Sequence, residues 1–253
     1  MNKTFADHFA SVASHYADSR PTYPVALFAW LAGQCREHAL AWDCGAGSGQ
    51  ASTELARYFE RVLATDASET QISQAMPYPG VEYRVAPSES SGLDNNCADI
   101  VVVAQALHWF DLDSFYAEVK RVLKPGGLLA AWSYGVLIVE GEEVNSIVQR
   151  FYHNGVGPYW PPERCHVEMG YREIDFPFRR IPAEVFAMSV RWNLGQLLGY
   201  FRSWSATARF IKAKGFDPVG ALEPQLLACW GNADQHRTIE WPLATLIGRA
   251  DRC

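Results

Sequence analysis

Between residues 39 and 134 short apolar runs alternate with stretches whose apolar residues recur every three or four positions, a pattern that few folds accommodate. The runs are Ala39-Leu-Ala-Trp-Asp43, Arg61-Val-Leu-Ala-Thr-Asp66, Val81-Glu-Tyr-Arg-Val-Ala86, Ala98-Asp-Ile-Val-Val-Val-Ala104 and Leu128-Leu-Ala-Ala-Trp-Ser-Tyr134. Between them, Ala51, Leu55 and Phe59 mark one helix face, and further helices are expected from Glu69 to Met76 and from Leu112 to Leu123. Lys124-Pro-Gly-Gly127 supplies a stop and a turn before the fifth run. Strand and helix in alternation predict an α/β fold, a doubly wound and mostly parallel sheet with ligands at the C-terminal ends of its strands. Asp43, Asp66, Ser88, Gln105 and Tyr134 all fall at or just beyond such ends.

The first run leads into Asp43-Cys-Gly-Ala-Gly-Ser-Gly-Gln50. Gly45, Gly47 and Gly49 remove Cβ where the chain turns sharply, and the following helix opens with unpaired N–H groups, a place suited to an anionic or zwitterionic ligand. A tight strand-to-helix turn without a ligand uses the same residues. Asp66, about 20 residues on, stands where α/β nucleotide folds place a carboxylate against ribose hydroxyls. Its alternative is an N-cap for the helix that starts at Glu69.

With 253 residues, 49% of them hydrophobic, the chain can bury a full core, and a single domain is expected. A net charge of −6 without a Lys/Arg run speaks against a nucleic-acid surface and for a small-molecule partner. No signal peptide or membrane span is evident, so a cytoplasmic protein without a membrane partner is expected. The six cysteines contain no Cys-x-x-Cys pair and predict neither a disulfide scaffold nor a metal site. Oligomeric state is not legible.

Residues 1–38 read as a helical lid broken at Arg20-Pro-Thr-Tyr-Pro24, with Tyr16, Arg20 and Tyr23 placed to cover a pocket or, equally, to pack or face solvent. Residues 39–135 form the core, 136–182 an insertion after the fifth strand covering the ligand crevice, and 183–253 the remaining strands and helices. Two further strands are expected at Glu184–Val190 and Arg237–Gly248, the latter interrupted by Pro242, giving a seven-stranded sheet. Helices are expected at Leu194–Trp204, Ala206–Ala213 and Val219–Trp230.

The order of motifs resembles the class I S-adenosylmethionine (SAM) dependent methyltransferases, in particular the branch of trans-aconitate methyltransferase. The resemblance is carried by Tyr16…Arg20-Pro-x-Tyr-Pro24, Asp43-x-Gly-x-Gly-x-Gly-Gln50, Asp66-x-Ser-x-x-Gln-Ile72, Ser88-Glu89, Gln105-Ala-x-His-Trp-Phe110 and Leu123-Lys-Pro-Gly-Gly127. Leu198-Gly-Tyr-Phe-Arg-Ser-Trp-Ser205 and Trp241-Pro-Leu look like the same branch. The glycine spacing differs from the Gly-x-Gly-x-x-Gly of nicotinamide-binding domains. The resemblance implies that the loop of Gly45, Gly47 and Gly49 runs beneath the methionine moiety of SAM, with the amino group held by backbone carbonyls near Cys44 or Ala104, and that Asp43 and Gln50 belong to the same cofactor site. It also implies that Asp66 holds the ribose, that Ala67 and Gln71 line the adenine site, that the Ser88 backbone meets the adenine edge with Glu89 joining if its side chain turns inward, and that Arg20 and Tyr16 pair with the methionine carboxylate if the lid closes. Pro87 departs from the pattern, since relatives often carry an acidic residue there.

Methyl transfer from a sulfonium is an in-line displacement that needs alignment and water exclusion more than a base. With a carboxylate acceptor, cation and anion cancel during transfer, and an aromatic pocket suits that loss of charge. Tyr23, Trp109, Tyr134 and Trp160 are candidate substrate-binding residues, and Gln105 is placed to touch SAM or the acceptor. His108 is the one candidate base, for a hydroxyl or amine acceptor, with a backbone-satisfied turn residue as its alternative. The expectation is a SAM-dependent O-methyltransferase of a small organic acid that releases S-adenosylhomocysteine (SAH). A SAM-binding partner module without catalysis and a nicotinamide oxidoreductase are the other possibilities.

Overall fold

The structure, a computed structural model, describes residues 21–250; Tyr16, Arg20 and the first part of the expected lid lie outside the described residues. Contacts divide the chain into two compact units, one made of Tyr23–Tyr134, Cys165–Phe186 and the chain from Leu243 onward, the other containing Gly135–Arg164 and Ala187–Pro242.

The first unit begins with α1 (Val25–Gln34), whose Leu27, Phe28 and Leu31 are fully buried. Then follow β1 (Leu40–Cys44), α2 (Gln50–Leu55), β2 (Arg61–Asp66), α3 (Glu69–Ser73), β3 (Val81–Val85), β4 (Ala98–Ala104), α4 (Leu112–Val122) and β5 (Leu123–Tyr134). The parallel order is β3-β2-β1-β4-β5, as the alternation of elements predicts. Central β1 and β4 are buried along almost their whole length, which is why they read as near-continuous apolar runs.

Residue parity in the strands assigns the two faces. On one, Trp42, Leu63, Val101, Val103, Leu129 and Ala131 share a core with Phe115, Tyr116 and Val119 of α4 and with Tyr171, Phe176 and Phe178. On the other, Trp132 packs edge-on against Phe28 and Tyr23. Each fully buried tryptophan withdraws roughly 200 Å² from water, of the order of 5 kcal/mol at the usual transfer coefficient.

The second unit holds β6 (Ile138–Val139), α5 (Glu142–Arg150), β8 (Ala187–Trp192), α7 (Leu194–Arg202), α8 (Ser205–Lys214) and α9 (Pro218–Trp230). A π-helical turn (Phe151–Gly155) follows α5, so the helix changes its winding there. Next in sequence come α6 (Arg164–Glu168) and, in the first unit, β7 (Arg179–Arg180).

The last strand, β9 (Arg237–Arg249), runs through both units. Up to Pro242 it pairs with β6 and β8; from Leu243 it pairs antiparallel with β5, and its end also pairs with β7. Three sequence expectations change here. Nine strands are present among the described residues rather than seven, because β6 and β7 have two residues each and show no periodicity. Pro242 does not interrupt the strand but stands where its partners change. Lys124–Gly127 is not a turn ahead of β5: the strand starts at Leu123, and the register jumps from Ala98↔Leu123 to Ile100↔Leu128, so three extra residues bulge out.

Candidate functional site

The glycine loop is fastened from β2. The Thr65 carbonyl accepts from the amides of Gly45 (2.8 Å) and Ala46 (2.9 Å), and the Asp66 carboxylate accepts from the amide of Gly47 (2.9 Å). The other Asp66 oxygen accepts from the Ser68 amide at 2.9 Å. Asp66 therefore is not the N-cap of α3; Ser68 is, through its hydroxyl, and α3 ends at Ser73 rather than Met76.

The glycines are required for a reason other than ligand approach. Gly45 (φ +71°) and Gly49 (φ +90°) are left-handed, and a Cβ would lie 2.6 Å from Ala106 at the first and 2.6 Å from the Tyr83 ring at the second. The loop is thus squeezed between the turn after β4 and a side chain of β3. At Gly47 a Cβ would meet only the Gln71 amide oxygen at 3.5 Å, and there the φ of +57° is what favours glycine.

Asp43 is fully buried. Its Oδ2 accepts from the Ser52 hydroxyl at 2.6 Å, whereas Oδ1 is enclosed with no hydrogen-bond partner. Burial raises the Asp43 pKa to about 7 against the Ser52 hydrogen bond, and the Asp66 charge raises it further. Asp43, Ala64 and Tyr83 are in register across three adjacent strands, so their side chains share a face, and the methyl of Ala64 leaves Tyr83 room to reach Gly49. The Tyr83 hydroxyl is likewise buried without a partner, and burial, then Asp43, raise its pKa.

The Cys44 thiol is pushed well above its ordinary value, by burial first and then by Asp43, with Asp66 and Glu89 adding to it. Three carboxylates therefore concentrate negative potential at the end of β1.

Gln105, just past β4, is a non-glycine residue at φ +58°, a conformation held by its amide donating to Trp132 O (2.9 Å) and its Nε2 donating to Tyr134 O (3.0 Å). Its Oε1 is buried and has no partner. Two buried acceptor atoms, Asp43 Oδ1 and Gln105 Oε1, in a field of carboxylates fit a ligand that carries positive charge and N–H donors. SAM has both, a sulfonium and an ammonium group.

A family profile described as a methyltransferase domain matches residues 42–131, the segment just built. A protein of Dictyostelium discoideum designated a methyltransferase is 36% identical over 233 residues, covering 91% of this chain and 89% of that one. A methyltransferase of Aspergillus candidus is 28% identical, covering 95% and 84%. A solved structure designated a type II methyltransferase from Anaeromyxobacter dehalogenans is 45% identical, covers 92% of this chain and 99% of that one, and superposes with a TM-score of 0.88. The chain belongs to the SAM-dependent methyltransferases. Its fold is the Rossmann-like α/β fold of class I, and its cofactor is SAM.

The methyltransferase brings most sequence-predicted cofactor residues to one place. Gln50 opens α2 and is half-buried, and Gln71 lies against Gly47. Ala67 is exposed just past β2. Ser88 is half-buried, and its hydroxyl donates to the exposed carboxylate of Glu89 at 3.1 Å.

The other predicted residues are spread more widely. Nδ1 of His108 lies 3.0 Å from the Tyr171 hydroxyl, and Trp109 stacks obliquely on the His108 ring at 4.9 Å. Tyr134 ends β5, half-buried, with the Tyr23 ring 6.4 Å away. Tyr23 itself is 7% exposed, held edge-on by Trp132 and Phe28, so it is a packed core residue. Trp160 lies in the second unit, among Tyr152 and Trp204.

Sequence reasoning missed Ser52, Thr65, Tyr83 and Tyr171. Strand register was the available signal for Tyr83, which aligns with Asp43 once β1, β2 and β3 are set parallel. Tyr171 carried none, being 63 residues from His108 and held at a left-handed φ of +59°. Among the described residues there is no metal-binding cluster of His, Cys, Asp or Glu, and no helix is long and apolar enough to cross a membrane.

Proposed function

We propose that the methyltransferase transfers the methyl group of SAM to a carboxylate oxygen of a small organic acid. The observation that carries this reading is the aromatic character of the strand ends next to Gln105: Trp109 and Tyr134, both half-buried, flank the end of β4. When bound, SAM supplies an electrophilic methyl on a sulfonium. Asp43 Oδ1 and Gln105 Oε1 would accept hydrogen bonds from its ammonium group, and Asp66 would accept from the ribose hydroxyls while it holds Gly47. The aromatic side chains exclude water and favour a reaction in which opposite charges cancel. A carboxylate acceptor carries no proton to be removed, so these residues need only orient it.

Arg20 and Tyr16 are proposed to pair with the methionine carboxylate, and Ser88 and Glu89 to border the adenine. The five cysteines of the described residues are free thiols, which supports a reducing, cytoplasmic location.

A second reading rests on the His108–Tyr171 contact. The hydrogen bond between Nδ1 and the Tyr171 hydroxyl keeps the His108 ring in one orientation, as a base toward a hydroxyl acceptor requires. The deciding experiment incubates the protein with SAM and acids, phenols and amines in turn and measures SAH release. Turnover of acids supports the proposal; turnover confined to phenols or amines refutes it.

A further inference from the structure

We infer that Arg164, with the aromatic floor beneath it, is a site of the second unit that binds the carboxylate of a small organic acid. This rests on the small-acid reading above. Arg164 begins α6, and its guanidinium lies 4.7 Å from the centroid of Trp160 and 5.8 Å from that of Tyr152. Its Nε donates to the Tyr152 hydroxyl at 3.0 Å. Tyr152 is 1% exposed, and Trp160 is wedged between Tyr152 (5.3 Å) and Trp204 (5.6 Å), so both surfaces that orient the guanidinium are fixed.

Among the described residues the Nε–Tyr152 contact is the only side-chain hydrogen bond of Arg164, whose backbone amide donates to Pro161 O, and no carboxylate lies within ion-pair distance of its guanidinium. Arg202, in the same unit, pairs with both Asp217 and Glu223. A half-buried guanidinium with no carboxylate beside it keeps its remaining N–H donors available to an anion. The Nε edge is used, which leaves the paired Nη groups. Their spacing matches the two oxygens of a carboxylate, and ring stacking sets the plane in advance. Beside it, the buried Trp160 Nε1 is a second donor without a partner. A planar anion with an apolar body satisfies all three features.

The test is calorimetry on the full chain saturated with SAH, titrated with acetate, succinate, citrate and benzoate, and with neutral succinamide. At least one acid is expected to bind while succinamide does not. Arg164→Gln should weaken that acid at least about tenfold, the size of a lost charge-assisted bidentate contact. Arg164→Lys, which keeps the charge but not the fork, should fall between, with SAH affinity unchanged for both. If Arg164→Gln does not fold, Arg164→Lys decides. Acids that bind both variants as tightly as the wild type overturn the site and leave the small-acid reading standing. A wild type that binds SAH but none of the acids, and turns over only phenols or amines, overturns both. Inorganic phosphate that binds as tightly as the acids, with the same dependence on Arg164, overturns the carboxylate assignment.

Discussion

The Ser52 hydroxyl donates to Oδ2 of Asp43 at 2.6 Å, and this short bond from α2 to β1 turns the other carboxylate oxygen, Oδ1, into an enclosed atom with no partner. Because burial raises the Asp43 pKa to about 7, the carboxylate is half-protonated near neutrality, and a cationic ligand must bind against that proton.

SAH affinity is therefore expected to rise with pH up to about 7 and to level off above it. Asp43→Asn should abolish that rise and weaken binding about tenfold or more at pH 8. The ligand-free protein behaves oppositely. A carboxyl with a raised pKa in the fold stabilises it fully below the unfolded value, and that contribution is lost as pH climbs through about 7. Calorimetry and thermal melts of both proteins from pH 5 to 9 check the two trends; parallel pH profiles would refute them.

Gly49→Ala is expected to cost about 2 to 4 kcal/mol, combining a left-handed φ of +90° with a Cβ 2.6 Å from Tyr83. Tyr83→Ala in that background should recover the steric part and leave the conformational part. Urea unfolding of the four proteins of the cycle should give a favourable coupling above about 1 kcal/mol.

Glu118 ties the loop after β3 to α4. One oxygen accepts from the Ser91 amide (2.8 Å) and hydroxyl (2.6 Å), and the other accepts from Arg121 Nε (2.8 Å). Burial raises its pKa, but the bonds from Arg121 and Ser91 prevail and hold it at about 2. Its contribution is present above the ordinary carboxylate pKa and is lost as pH falls toward about 2. Glu118→Ala should cost about 2 to 4 kcal/mol in denaturant unfolding at pH 7 and flatten the acid limb of the stability curve.

If the acceptor is a carboxylate, His108→Gln should lower kcat by less than about fivefold, since no proton is removed. A drop of a hundredfold or more, with a loss of the acid limb of the kcat profile, would make His108 a base and favour the hydroxyl reading.

The first unit was legible in sequence because its physics is local. Buried parallel strands must be apolar throughout, as in Ala98–Ala104, and a chain reversing at Gly45–Gly49 must use glycine. Asp43, Asp66 and Gln105 could be located because a doubly wound sheet gathers strand ends. What pairs across the fold was not legible. Nothing in the spacing of Ser52, Tyr83 or Tyr171 says which side chain each will meet, and the two-residue strands β6 and β7 exist only because β9 offers them an edge. The second unit was harder still: its aromatic residues read as pocket or core alike, and only the stacking of Arg164 on Trp160 distinguishes a role for one of them.

Whether the ends of β1, β2 and β4 hold the methyl donor is settled most directly by calorimetric titration of SAH into the wild type and Asp66→Ala, with circular dichroism showing both folded. Saturable one-to-one binding to the wild type is expected, weakened about ten- to a hundredfold by Asp66→Ala, the value of hydrogen bonds to a charged acceptor. Equal affinity for the two proteins, or no binding to the wild type, would contradict it.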